Sequence, residues 1–339
     1  MNADFVSGLR ACLAACIALI AVGGCSPKGA GGPSSASASG APRIIIGQIS
    51  PGTSQTPLMV AVAEGFFKKA GLDVTVQSLS GGTPSAMASF ATGSVNMLVA
   101  GSPEFIEYAA KKVISGKMVA ELTDQNYDIV VGKGITSLQQ LKGKVIGISG
   151  ANGADQVYLE AMLERNGMSA KDVQFITSGS TSNRLLALST GTIQAVAASN
   201  ANRDAAIKVG TVLLKSGDSP VQLPSSLVFA SNYLISKHPE VLKTFVGAIA
   251  EATRWMRANP AAAAADCAKA TGATVEACAS AIAFNLNPAV SSKYTWSSTN
   301  AVNTAGIKSA LEVMATIVPE TKGLTVADVV DTSIAGEVP

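Results

Sequence analysis

From residue 43 the chain alternates between two hydrophobic rhythms. Residues 44–49 (IIIGQI) form a near-continuous apolar run, as expected of a strand covered on both faces. After the turn-rich stretch SPGTSQT, Leu58, Val62 and Phe66 fall four apart, and Met59, Ala63 and Phe67 repeat that spacing. This predicts a single helix with one face toward the core. Thr56 is its cap, Pro57 sits in its first turn and Gly71 stops it. Leu72, Val74 and Val76 then alternate with Asp73, Thr75 and Gln77, the pattern of a half-buried strand. The cycle continues with helices over 84–92 and 103–115 and strands over 95–100, 117–123 and 128–132. A second run begins at 144–149, with helices over 153–165, 182–189 and 201–208 and strands over 172–177, 193–198, 211–215 and 227–231. From Pro239 the pattern is helical: Leu242, Phe245, Ile249, Ala252 and Met256 keep three-four spacing, and helices follow near 260–270, 274–285 and 299–317.

One segment repeats. Thr92-Gly93-Ser94-Val95-Asn96-Met97-Leu98-Val99-Ala100 is echoed by Thr190-Gly191-Thr192-Ile193-Gln194-Ala195-Val196-Ala197-Ala198. Both read as helix end, glycine turn and apolar strand, and so as equivalent units of two similar lobes; chance likeness of short segments is the alternative.

The first 42 residues follow other rules. Residues 11–22 are an apolar run behind Arg10, too short to span a bilayer but suited to a secretory signal. The run ends in Val22-Gly23-Gly24-Cys25, an aliphatic residue and two small ones before a cysteine, which looks like a bacterial lipobox with Cys25 as the lipidated residue. Leu13-Ala14-Ala15-Cys16 fits the same pattern but leaves too little apolar run before it. We therefore read 1–24 as a lipoprotein signal peptide and 25–42, almost all Gly, Ser, Ala and Pro, as a flexible tether. The expected location is the periplasmic or extracellular face of a bacterial membrane, held by lipid rather than by a spanning helix.

Composition narrows the function. At 339 residues two lobes are expected. Charged residues make up 14%, and 25 Lys+Arg against 23 Asp+Glu leave a net charge of +2, so no basic field exists to attract nucleic acid. The one histidine, His238, rules out a His-cluster metal site. No phosphate-binding loop, nucleophile elbow or CxxC pair occurs, so neither a cofactor nor catalysis is expected. Outside the cytoplasm Cys267 and Cys278 would form a disulfide across the turn at Gly272, with two buried free thiols as the alternative.

The run Pro57-Leu58 … Glu64-Gly65-Phe66-Phe67 … Gly71-Leu72-Asp73-Val74, with Leu141-Lys142-Gly143-Lys144-Val145-Ile146-Gly147 and the two Thr-Gly turns, resembles one family. That family is the ABC-transporter substrate-binding proteins for nitrate, aliphatic sulfonates, taurine and thiamine-pyrimidine precursors. Asn96 and Gln194 depart from it, since the family often has Asp there. The resemblance implies an α/β, type II periplasmic-binding-protein fold: two lobes joined by two crossover strands, with a helical C-terminal tail. With the crossovers at 128–132 and 227–231, lobe I is 43–130 and 230–339 and lobe II is 131–229. The implied function is capture of a small anionic or polar organic solute between the lobes, by a monomer that delivers it to a permease and ATPase on separate chains. A sensor for a membrane signalling partner and a thiamine-pyrimidine synthesis enzyme are the alternatives. The enzyme needs an active-site histidine, whereas His238 reads as a helix-start surface residue.

Ligands of open α/β sheets sit beyond the C-terminal ends of parallel strands. That rule nominates Ser50, Thr53, Ser54 and Gln55; Ser80, Gly81, Gly82 and Thr83; Gly101 and Ser102; Asn152 and Asp155; and Ser199, Asn200 and Asn202. Helix-start N–H groups in such loops suit carboxylate or sulfonate oxygens, or are simply capped. Arg184 and Arg203 lie beside these loops and read as solvated surface ion pairs rather than ligand contacts. Tyr294 and Trp296 either wall the cleft or, as preferred, pack against lobe I.

Overall fold

A computed structural model describes residues 42–336 apart from 50–51, 80–81, 125–126, 180, 200–201 and 290. The signal peptide, Cys25, nearly all of the tether, Ser50, Ser80, Gly81 and Asn200 lie outside the described residues. The first run gives β1 (Ile44–Gln48), α1 (Thr56–Ala63), α2 (Phe66–Lys69), β2 (Val74–Ser78), α3 (Gly82–Ala91), β3 (Met97–Ala100), α4 (Ser102–Ala110) and β4 (Gly116–Thr123). The second gives β5 (Tyr127–Val131), β6 (Val145–Ile148), α5 (Ala154–Arg165), β7 (Gln174–Thr177), α6 (Thr181–Ser189), β8 (Ala195–Ser199), α7 (Arg203–Val209) and β9 (Thr211–Leu214). Then come β10 (Ser226–Ser231), α8 (Asn232–Lys237), α9 (Pro239–Ala258), α10 (Pro260–Thr271), α11 (Val275–Leu286), α12 (Thr304–Ile317) and α13 (Val326–Val329).

Two five-stranded sheets result, ordered β2-β1-β3-β10-β4 and β7-β6-β8-β5-β9. In each, four strands run in one direction, and the fourth position is an antiparallel strand from the other end of the run: β10 pairs with β3 and β4, and β5 with β8 and β9. The strands expected at 128–132 and 227–231 exist, but each lies whole within one sheet. The chain therefore passes between sheets earlier, between Thr123 and Tyr127 and again between Leu214 and Ser226. Each residue of β5 is paired with β8 and each residue of β10 with β4, so neither strand has a stretch left over to join the other sheet.

Alternate side chains explain the layering. Met97 and Val99 of β3 enter a core with α1, α2, α9 and α10, while Leu98 and Ala100 enter a second core with α3, α4 and α12. That second core continues through Ile129, Ile146 and Ala197 of the other sheet and through α5, so one apolar joint serves both sheets. The far face of the second sheet is closed by Leu185, Leu188 and Ala206 of α6 and α7. The single helix expected over 57–70 is two: Gly65, at φ +71°, ends α1 and opens α2. Leu58 and both phenylalanines are buried as expected, with Phe67 stacked on Phe245 at 4.8 Å, but Val62 is 46% exposed.

The internal echo is structural. Asn96 Oδ1 accepts from the Ile45 N–H (2.9 Å) and Gln194 Oε1 from the Val145 N–H (3.0 Å). The two amides thus tie β3 to β1 and β8 to β6 in the same way. Cys267 and Cys278 are joined by a disulfide that closes the corner between α10 and α11. Among the described residues no helix is long and apolar enough to cross a membrane.

Candidate functional site

The parallel strands β1, β3, β6 and β8 point their C-terminal ends at a common cleft. So do the N-terminal ends of the antiparallel β5 and β10, because reversing a strand exchanges its ends. The cleft has two chambers of about 520 and about 450 Å³, within the size range of small-molecule sites. Ser54, Tyr127, Ser149, Gly179 and Ser225 line both, so the chambers adjoin.

The larger chamber takes Thr53 and Ser54 from the turn before α1, and the turn Thr271–Gly272–Ala273 beside the disulfide. From the second sheet it takes Asp155, Thr181, Arg184, Ser199 and Asn202. Ser54 is fixed through its carbonyl, which accepts from Thr123 Oγ1 (2.7 Å) and from Trp296 Nε1 (3.0 Å). Trp296 itself is fully buried in the core of the first sheet, as preferred from the sequence, and lines neither chamber, nor does Tyr294.

Arg184 corrects an expectation. It is buried rather than solvated, with 3% of its surface exposed. Its guanidinium donates to Asp155 Oδ2, to the Ala197 carbonyl (3.1 Å) and to Thr181 Oγ1 (2.9 Å). Asp155 also accepts from the N–H of Ser149 (2.8 Å) and from its Oγ (2.6 Å). The chamber is therefore polar and holds a neutral ion pair, in which Arg184 Nε is buried without a hydrogen-bond partner. Arg203 sits outside it, paired with Asp128 at 3.4 Å.

The smaller chamber takes Gln55, Gly82, Thr83, Gly101 and Glu104 together with Gly150, Ala151 and Gly153. Glu104 Oε1 accepts from the N–H of Ala154, at the start of α5, at 3.2 Å. Burial, partly offset by hydrogen bonds from the backbone N–H groups of Glu104 and Ala154, pushes its carboxyl up to about 7, and the negative Asp155 and Glu107 add to the rise. Burial likewise pushes the Tyr127 hydroxyl up.

Of the described nominees, Thr53, Ser54, Gln55, Gly82, Thr83, Gly101, Asp155, Ser199 and Asn202 come together around the cleft. Ser102 and Asn152 line neither chamber. Ser102 is fully buried and donates through Oγ to the Pro224 carbonyl (2.9 Å), tying α4 to the segment that leads into β10. Asn152 is exposed at φ +57°, and its N–H donates to Gln156 Oε1 (2.9 Å). Tyr127, Ser225 and Glu104 were missed. The first two precede or open antiparallel strands, which a rule for parallel strands passes over, and Glu104 lies in the first turn of α4, just beyond the loop that the rule selects. His238 stands outside both chambers, its ring 3.2 Å from Tyr233 Oη. Among the described residues no group of three or more His, Cys, Asp or Glu side chains forms a metal cage.

A sequence profile described as NMT1/THI5 like matches residues 52–263. A Bacillus subtilis (strain 168) protein described as a binding protein, YtlA, is 25% identical over 228 residues, 65% of this chain and 67% of its own length. Among solved structures, the alkanesulfonate-binding protein SsuA from Xanthomonas axonopodis pv. citri matches with a TM-score of 0.66 at 15% identity, over 82% of this chain and 93% of that one. The periplasmic aliphatic sulphonate binding protein SsuA from Escherichia coli matches with a TM-score of 0.64 at 16% identity, over 88% and 92%. At these identities the structural likeness is one of fold.

Proposed function

We infer that this chain, which belongs to the NMT1/THI5-like family and has the periplasmic-binding-protein fold, captures a small polar organic solute between its two sheets and hands it to an ABC permease. The permease and its ATPase are separate chains, and the protein waits for solute outside the cytoplasm, tethered by lipid on Cys25. The reading rests on one observation: both chambers are walled from both sheets, so a solute in either touches both halves.

Contacts already bridge the halves at the rim. Ser280 Oγ of α11 donates to Asp204 Oδ2 of α7 (2.7 Å), and the Arg203 guanidinium lies 5.8 Å from the Phe284 ring centre. A solute that adds contacts on both sides favours the closed arrangement by the difference in its affinity for the two states. The permease then reads that arrangement. The one histidine lies outside both chambers, and the carboxylate that meets the Ser149 hydroxyl in the cleft, Asp155, is already paired with Arg184, which supports binding without chemistry.

A thermal-shift screen of polar organic solutes tests the reading, because a ligand that binds only the folded state raises Tm. A hit should lose its effect in Ser54→Trp, which fills the wall common to both chambers. Hits that survive this variant would move the site elsewhere. Labelling with palmitate should be lost in Cys25→Ala; retained labelling would remove the tether.

A further inference from the structure

Asn285 stands where the pattern of its helix asks for an apolar residue. α11 turns Cys278, Ala281 and Ile282 inward at three-four spacing, and Asn285 is the next position of that stripe, 5% exposed. Its carboxamide, which carries two N–H donors and an accepting oxygen, hydrogen-bonds to none of the described residues. The helix end does not use it either: α11 closes at Asn287, whose own Oδ1 accepts from the Ala289 N–H (3.0 Å). The amide atoms of Asn285 nonetheless keep accessible surface, and Asn285 lines the larger chamber. A buried amide left unpaired is unfavourable, whereas an apolar residue of the same shape would carry no such cost. The charges lining this chamber, Asp155 and Arg184, are spent on each other. The positions that adjoin its lining residues in sequence and lie outside the described residues, 50–51, 125–126, 180 and 200–201, hold no charged residue. From the second sheet comes another amide, Asn202, whose Nδ2 donates to Ser199 Oγ (2.9 Å) and whose Oδ1 has no partner among the described residues.

We propose that Asn285 binds the solute directly, and that the solute is uncharged and carries an amide edge, a C=O and an N–H on the same side as in a lactam, a primary carboxamide or a urea. The Asn285 oxygen accepts from that N–H while Nδ2 donates to that C=O, so one planar pair uses both atoms. This rests on the cleft being the solute site and deepens that reading. A carboxylate or sulfonate would accept from Nδ2 but set its charge against the Asn285 oxygen, with no free cation in the wall to offset it. An ammonium would leave Nδ2 unpaired, and a lone hydroxyl reaches one of the two atoms at a time. Asn202 Oδ1 offers an acceptor for a further N–H, so a solute of this kind is held from α11 on one side and from the start of α7 on the other.

The test uses the full chain and four sets of probes: small lactams, carboxamides and ureas; lactones of the same shape as the lactams; alkanesulfonates; and carboxylates. Thermal shift ranks them, and calorimetry gives Kd. The amide set should bind, and each lactone, which lacks the N–H, should bind about 10-fold more weakly than its lactam. Asn285→Leu, close in size, should weaken the best amide probe by about 10- to 100-fold, while the Tm of the solute-free protein holds or rises because the folded state loses no bond. An amide that served only the fold would lower that Tm, and such a fall overturns the proposal. Asn285→Asp keeps the acceptor, loses the donor and should weaken the same probe about 10-fold. The lactam–lactone difference is read in the unaltered protein and is independent of how either variant folds. Equal binding of lactam and lactone, or amide binding unchanged in Asn285→Leu, overturns the proposal as well. Binding confined to anions and blocked by Ser54→Trp overturns the role of Asn285 while leaving the cleft as the solute site. Amide binding that survives Ser54→Trp removes the cleft reading with it, and binding of no class of probe overturns both.

Discussion

Asn96 and Gln194 show why an amide serves where a carboxylate would do half the work. Asn96 accepts from the Ile45 N–H and also donates to the Arg43 carbonyl (2.8 Å). Gln194 accepts from the Val145 N–H and donates to the Gly191 carbonyl (2.8 Å). Asn96→Asp keeps the acceptor but loses the donor, so it should cost about 1 kcal/mol, and Asn96→Ala, which loses both, should cost more. Urea midpoints at constant m-value order the two; equal midpoints would deny the acceptor any part, and a midpoint of Asn96→Asp equal to that of the unaltered protein would deny the donor one. Arg184 carries a larger consequence. Arg184→Met strands Asp155, 2% exposed, without its counter-charge and should cost about 3–5 kcal/mol. Adding Asp155→Asn should recover part of that loss in the same urea experiment. A smaller loss for Arg184→Met, unchanged by the second substitution, would mean that the pair is not coupled.

At the scale of elements, the strand–helix alternation was legible because each apolar run is short and each helix keeps its spacing. The joint inside 56–69 was not. Leu58, Val62 and Phe66 fit one helix by period, and periodicity carries no information about a backbone reversal at Gly65. The site of a Cβ on Gly65 is empty for 4 Å around, so Gly65→Ala should cost about 1 kcal/mol through its positive φ alone, with no crowding term. Chemical denaturation measures this, and no loss would mean that the joint tolerates a right-handed residue. The short α8 was also passed over, although Ser231 caps it by accepting from the Leu234 N–H (3.4 Å). The cleft loops at parallel strands were legible from Gly, Ser and Thr content. Tyr127 and Ser225 were not, since strand direction is decided by which sheet a strand joins, a long-range property of the fold.

For the whole molecule, acids held above their ordinary range shape the response to pH, and Asp128, Glu160 and Asp266 are raised in the same direction as Glu104 and Glu121. Glu104 and Glu121 are both held above their ordinary range, chiefly by burial, and Glu121 also by the neighbouring Asp124. In the unfolded chain such groups release protons near 4.5, whereas folded Glu104 holds its own to about 7. Their contribution is therefore complete below 4.5 and is lost as pH rises through the folded value. The Tm of the solute-free protein should fall from pH 5 to pH 8, and Glu121→Gln should flatten that slope. A Tm that rises over this interval would contradict it. The apolar joint of α4, α5 and α12 binds the two sheets into one core, so any opening turns about this joint and does not part it.

The disulfide has a further consequence. Both sulfur-bearing side chains are fully buried, so a dissolved reductant meets them only when the corner between α10 and α11 springs open. The turn inside that corner borders the larger chamber, and a guest resting there would hold the corner shut. The speed at which dithiothreitol uncovers alkylatable thiols thus becomes a clock for occupancy, slowing as the chamber fills.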